Sequence, residues 1–126
     1  MTAHSQALRA YGQASSSTRT PRGVEYEVFA RVTHRLVAAA RRDRKTHFPE
    51  LARAVQDNRQ LWTILAADVA GEGNALPPAL RAQIFYLAEF TFAHSRKVLN
   101  DKAELRPLIE INTAIMRGLR AGGVTK

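Results

Sequence analysis

The sequence contains no cysteine, which excludes disulfides, thiolate metal sites and thiol catalysis together. No stretch approaches the ~18–20 apolar residues that span a bilayer, so no membrane insertion is expected. The start, Met1-Thr2-Ala3-His4-Ser5-Gln6, lacks the charged opening and apolar run of a secretory signal, and a cytoplasmic location is expected. Strand-like alternation bounded by turn signals is missing throughout. Acidic residues are scarce, 11 against 19 Lys and Arg, for a net charge of +8. Such a balance suits nucleic acid, an anionic surface or an acidic partner.

Chemistry-bearing patterns are missing as well. None of the histidines, His4, His34, His47 and His94, lies three or four residues from another, so no helical pair is set to hold a metal. Glu25 and Glu27 are two apart and point different ways on a helix. Gly71-Glu72-Gly73-Asn74 lacks the downstream Gly and the Lys of a phosphate loop. No nucleophile–base motif is visible. These features predict a protein that is not an enzyme and uses no cofactor and no metal.

What is present is helical periodicity. Hydrophobic residues make up 45% and charged residues 24%, a balance that supports a packed core. Residues 1–20 read as a short helical segment, with Leu8 and Tyr11 on one side, followed by the linker Ser15-Ser16-Ser17-Thr18-Arg19-Thr20. That leading segment is either mobile or docked on the body through Leu8 and Tyr11. The bundle proper is expected over residues 21–121, within a single domain of 1–126.

Four main helices are expected there. The first runs from about Pro21 to Lys45, with Thr20 as N-cap and Pro21 at the first helical position. Its apolar face holds Val24, Val28, Phe29, Val32, Leu36 and Ala39. Arg41-Arg42-Asp43-Arg44-Lys45 closes it, where cations suit the helix dipole; phosphate binding is the other reading of that run. The second, about Pro49 to Ala70, carries the heptad-like row Leu51, Val55, Asn58, Trp62, Leu65 and Val69, and Gly71 and Gly73 end it.

The third helix is expected over Pro78 to Leu99. One row is Leu80, Ile84, Leu87, Thr91, His94 and Val98; a second is Phe85, Ala88, Phe92 and Leu99; Tyr86 and Phe90 form a third side. That is more apolar surface than a peripheral helix needs for one core, so either the helix is central or one face is kept for a partner. The fourth, about Arg106 to Arg120, places Leu105, Leu108, Asn112, Ile115 and Leu119 in one row, and Gly122-Gly123 stops it. The sum is an all-α fold, a small bundle of about four main helices.

Individual side chains follow from these rows. Asn58 and Asn112 are expected to hydrogen-bond a backbone carbonyl or another helix and so fix register. Trp62 is expected in the core, and His94 as a partly buried, hydrogen-bonded histidine. The aromatics Phe85, Tyr86, Phe90 and Phe92 are not interleaved with Lys or Arg, so stacking on nucleic acid is weakly supported. The residues expected to bind a partner are Tyr86, Phe90 and Ala93, with Arg81, Arg96 and Arg117 as a basic rim.

Several segments together resemble the flagellar biosynthesis regulator FlaF family. They are Ala10-Tyr11-Gly12-Gln13-Ala14; Pro21-Arg22 with Glu25-Tyr26 and Phe29-Ala30-Arg31-Val32-Thr33; Asn58-Arg59 with Leu61-Trp62; Glu72-Gly73-Asn74-Ala75-Leu76-Pro77 with Leu80-Arg81-Ala82 and Ile84; and Leu108-Ile109-Glu110-Ile111-Asn112 with Ile115-Met116 and Gly118-Leu119. The sequence departs from the usual family pattern at Gly23-Val24, at Glu89-Phe90 and at His47-Phe48-Pro49-Glu50.

The resemblance implies that Tyr11, Tyr26, Phe29, Asn58, Leu61, Trp62, Asn74, Leu76, Pro77, Asn112, Ile115 and Met116 serve the core or an interface. It also implies a non-enzymatic protein that promotes flagellin production and secretion in opposition to the regulator FlbT. On a chaperone-like reading, it binds unassembled flagellin, whose terminal amphipathic helices leave apolar stripes uncovered until they enter the filament. Two other readings are contact with flagellin mRNA and a helical adaptor that binds FlbT.

Overall fold

A computed structural model describes residues 26–71, 73 and 76–124, with side chains to Gly118. Four helices account for most of it: α1 (Tyr26–Ala40), α2 (Phe48–Ala70), α3 (Pro78–Leu99) and α4 (Arg106–Val124). No strand occurs among the described residues. The expected N-terminal helical segment, the linker, the Thr20 cap and the first turn from Pro21 lie outside the described residues.

The helices form an all-α bundle. α2 packs against both α1 and α3, and α4 closes the ring against α1 with a lighter contact to α3. Two apolar clusters fill the interior. The first gathers Phe29, Val32, Leu61, Trp62, Leu65, Ala66, Val69, Leu76, Ile84, Ala88 and Ile115. The second gathers Leu36, Ala39, Leu51, Ala54, Val55, Val98, Leu105 and Leu108. Phe29 meets Trp62 edge to face, centroids 5.9 Å apart and planes at 84°, a favoured aromatic geometry.

Each helix contributes to both clusters and crosses between them at a buried polar residue. These residues are Thr33 on α1, Asn58 on α2, Thr91 and Ser95 on α3, and Asn112 on α4. The bundle therefore has a polar layer between two oily halves. Trp62 Nε1 donates to Asn112 Oδ1 at 3.0 Å. Asn112 Nδ2 donates to Asn58 Oδ1 at 2.7 Å and to Thr33 Oγ1 at 3.0 Å. Ser95 Oγ donates to its own helix at Thr91 O, 2.6 Å away. Most of these buried polar groups pair, and the pairing fixes how the helices slide against one another; Asn58 Nδ2 and Thr91 Oγ1 have no hydrogen-bond partner among the described residues.

The whole α2 row, Leu51, Val55, Asn58, Trp62, Leu65 and Val69, is buried, as are Leu105, Leu108, Asn112 and Ile115 of the fourth row. α3 departs from the expected rows. Its buried line is Ile84, Ala88, Thr91, Ser95 and Val98, which takes members from two rows and adds Ser95. A small residue there lets the helix approach its neighbours, while Leu80, Leu87 and Phe92 only flank the first cluster.

Helix ends differ from expectation at two places, the ends of α1 and α4, while α2 ends at Ala70 as expected. α1 stops at Ala40 rather than Lys45, because Arg41 and Arg42 N–H groups bond back three residues to Ala38 and Ala39 and tighten the last turn. The run Arg41 to Lys45 is thus a connection, held by Thr46 against the Asp43 carboxylate. α4 continues through Gly122-Gly123 to Val124; glycine lowers helix propensity without forbidding helix. Gly71 caps α2 with extended backbone, φ −73°, and the left-handed position falls on Gly73, φ 85°, where a side chain is strained.

Arg44 ties the two connections at this end of the bundle together. Its guanidinium donates to Val98 O, pairs with Asp101 at 3.0 Å and lies 5.3 Å from the Phe48 ring centre. α3 itself ends in a paired turn: Lys102 N–H bonds Lys97 O at 2.8 Å and Asp101 N–H bonds Val98 O at 3.0 Å. That is the Schellman pattern, with Asp101 in the left-handed position at φ 60°.

Candidate functional site

α3 and α4 diverge enough to leave an apolar groove between them. Gln83, Tyr86, Leu87 and Phe90 line it from α3, and Pro107, Glu110, Ile111 and Ala114 from α4. The groove encloses about 430 Å³. Helical periodicity explains the lining. Residues 83, 86, 87 and 90 share one face of α3, and 107, 110, 111 and 114 share one face of α4. The core-facing rows lie beside them, so the same helices bury one face and present another.

Tyr86 is 67% exposed and Phe90 38% exposed, which is high for two large aromatics one helical turn apart. Phe90 stacks on His94, centroids 5.4 Å apart and planes at 19°. His94 Nε2 is 2.8 Å from Glu104 O, which makes Nε2 the protonated, donating nitrogen. The bond pins the ring to the α3–α4 connection, and the ring in turn backs Phe90. Phe85, 41% exposed, projects from a neighbouring side of α3.

The residues expected to bind a partner divide by position. Tyr86 and Phe90 are in the groove wall. Ala93, half-buried, continues their row one turn further. Arg117 follows Glu110 and Ala114 along α4, at the end of the groove. Arg81 sits on another side of α3 from Gln83, with Nε buried and without a hydrogen-bond partner among the described residues. Arg96 is about a third of a turn off the Phe90 line. The charged side chain on the wall itself is Glu110, so the groove is not ringed by arginine.

The positions singled out by the family pattern fall mainly inside. Phe29, Leu61, Trp62, Leu76 and Ile115 are buried apolar residues, and Asn58 and Asn112 are buried polar ones. Tyr26 and Met116 pack on the first cluster from its edge. Pro77 is the exposed N-cap of α3. Tyr11 and Asn74 lie outside the described residues. Sequence reasoning did not single out Gln83, Leu87, Pro107, Glu110, Ile111 or Ala114 as groove residues. The i, i+3, i+4 spacing of the α4 members is visible, but nothing local says that α3 stands away from it.

Two other openings are polar at the rim. One, between α1 and α2, is lined by Arg35, Ala38, Ala39, Arg42, Glu50, Arg53 and Ala54, with Arg35 already paired to Asp57 at 3.0 Å. The other lies beside the α3–α4 connection, where Arg42, Arg44 and Arg106 face Asp101 and Glu104. Among the described residues, no three His, Asp or Glu side chains come together as a metal site. No helix there is long and apolar enough to cross a membrane.

No curated protein and no solved structure shows a significant match to the chain. The family model described as flagellar protein FlaF matches residues 7–119, a span that includes all of α1, α2 and α3, most of α4 and the groove between α3 and α4. The chain belongs to the flagellar protein FlaF family.

Proposed function

We propose that this protein is a non-enzymatic, cytoplasmic flagellar biosynthesis factor that binds unassembled flagellin as a secretion chaperone, with the α3–α4 groove as its docking surface. The observation that carries the reading is the exposed pair Tyr86 and Phe90 over an apolar groove in a member of a flagellar protein family. A monomeric flagellin carries amphipathic terminal helices without their filament partners. Laying the apolar stripe of such a helix in the groove removes both surfaces from water. Aromatic anchors suit the task because they bury large area with few rotatable bonds.

The reading makes a specific demand on salt. Binding driven by apolar burial persists at moderate ionic strength, whereas contact with flagellin mRNA through the basic surface weakens steeply as counterions compete. Co-purification of the tagged full chain from cells tests it. Recovery of flagellin as a saturable, salt-tolerant complex supports the proposal. Recovery of FlbT without flagellin replaces it with an adaptor role, and nuclease-sensitive material replaces it with RNA binding.

A further inference from the structure

Positive charge is concentrated in one part of the chain. From Arg31 to Ala54, seven Lys and Arg stand against two Asp and Glu, so this stretch holds +5 of the net +8. It comprises the second half of α1, the connection after it and the start of α2. The short connection brings the two helices back side by side, which gathers like charges that repel one another. Arg35, Arg42 and Arg53 are exposed, so the apolar core does not account for them.

The α1–α2 opening lies within this basic stretch and encloses about 360 Å³. Ala38, Ala39 and Ala54 give it an apolar floor, with Arg42 contributed from the α1 side and Arg53 from α2. Arg35 is held by Asp57 at 3.0 Å. Arg42 and Arg53 have no ion pair among the described residues, although Glu50 lines the same opening.

Charge and shape together narrow the occupant. Two guanidinium groups without a partner call for carboxylates or phosphates. The alanine floor accepts small apolar side chains, and no aromatic ring lines the opening for a base to stack on. Glu50 and the Arg35–Asp57 pair interrupt the positive run that a continuous phosphate backbone would follow. A helix with carboxylates one turn apart and alanine-sized side chains between them meets all of these demands.

We infer that the α1–α2 opening is a second docking surface, for an acidic amphipathic helix of a partner protein, with Arg42 and Arg53 pairing its carboxylates above the alanine floor. The α1–α2 and α3–α4 edges lie on opposite sides of the ring of helices. An acidic partner here therefore leaves the aromatic groove open, and the chain can hold an occupant on each side at once.

Titration of the isotope-labelled full chain, followed by amide NMR, tests the inference. The probe is an alanine-rich helical peptide of about 15 residues with glutamate at every fourth position; its glutamine counterpart and single-stranded oligo-dT are the controls. Saturable shifts are expected at the amides of residues 35–42 and 50–54, which frame the opening, and none with the glutamine peptide. Arg42→Ala with Arg53→Ala should weaken binding at least about tenfold, with a melt near wild type because both side chains are exposed.

Ala38→Leu fills the floor without altering charge and should weaken the peptide by a similar factor. Unchanged affinity in that variant means diffuse attraction and overturns docking in the opening. Shifts confined to other surfaces, or none up to about 1 mM peptide, overturn the inference as well. So does oligo-dT that binds the same amides more tightly than the peptide, which makes this face a nucleic-acid surface. Flagellin is absent from these titrations, so their failure leaves the α3–α4 reading standing.

Discussion

Asn112 Nδ2 lies 2.7 Å from Asn58 Oδ1, joining α4 to α2 across the middle of the bundle. The same amide nitrogen reaches Thr33 on α1, and its oxygen accepts from Trp62. One asparagine therefore holds three helices in register within the layer that separates the two apolar clusters. In a low-dielectric interior such a network is costly to break in part.

Asn112→Ala should destabilise the protein by about 3 kcal/mol or more, because it leaves Trp62 Nε1, Asn58 Oδ1 and Thr33 Oγ1 buried without this partner. Urea unfolding followed by far-UV circular dichroism measures the loss. Asn112→Asp should not rescue it, since a buried carboxylate facing Asn58 Oδ1 replaces a donor with a charged acceptor. A shift below 1 kcal/mol for Asn112→Ala would remove the network from the account of stability.

Trp62→Ala should cost roughly 3–5 kcal/mol as a large core truncation. Trp62→Phe keeps most of the packing with Phe29 but abandons the bond to Asn112, and about 1–3 kcal/mol is expected. The order Ala worse than Phe, read from denaturation midpoints, checks both contributions. An unchanged melt for Trp62→Ala is incompatible with its burial.

Phe90→Asp should leave the fold nearly intact, within about 1 kcal/mol of wild type, because the ring is part-exposed and lies outside both clusters. Flagellin binding should be lost. Calorimetric titration alongside a thermal melt gives the two readings together, and a collapsed fold would move Phe90 into the core and refute the groove assignment.

Asp101→Gly should stabilise the protein by about 0.5–1 kcal/mol, since glycine occupies the left-handed turn after α3 without steric cost. The ion pair with Arg44 is lost in the exchange, but the Asp101 side chain is 80% exposed, and such pairs contribute little. Arg44→Lys, by contrast, should lower the melting temperature, because an ammonium does not reproduce the guanidinium's simultaneous contacts with Val98 O, Asp101 and Phe48. Differential scanning calorimetry resolves the opposite signs.

Much of this architecture is legible in the residue spacing. The α2 row and the described part of the α4 row, including both asparagines, are buried as their three- and four-residue steps predict, and α3 has the expected limits Pro78–Leu99. The first helix is less legible at its end, because Arg41, Arg42, Arg44 and Lys45 have good helix propensity and the tightened turn at Ala38 and Ala39, with Arg44 drawn to the α3 end, stops it. Thr33 and Ser95 stand outside the periodic apolar rows yet are buried; they are small and take their partners from Asn112 and Thr91.

By itself the sequence determined four helices and their family, because helical period and capping are local properties that each segment carries wherever it is placed. Only the tertiary structure decided which side of α3 is buried, that the two asparagines meet each other, and that Glu110 rather than an arginine charges the groove wall. Those outcomes depend on how far apart helices stand and how they are rotated, and both are set by packing volumes summed over several helices at once.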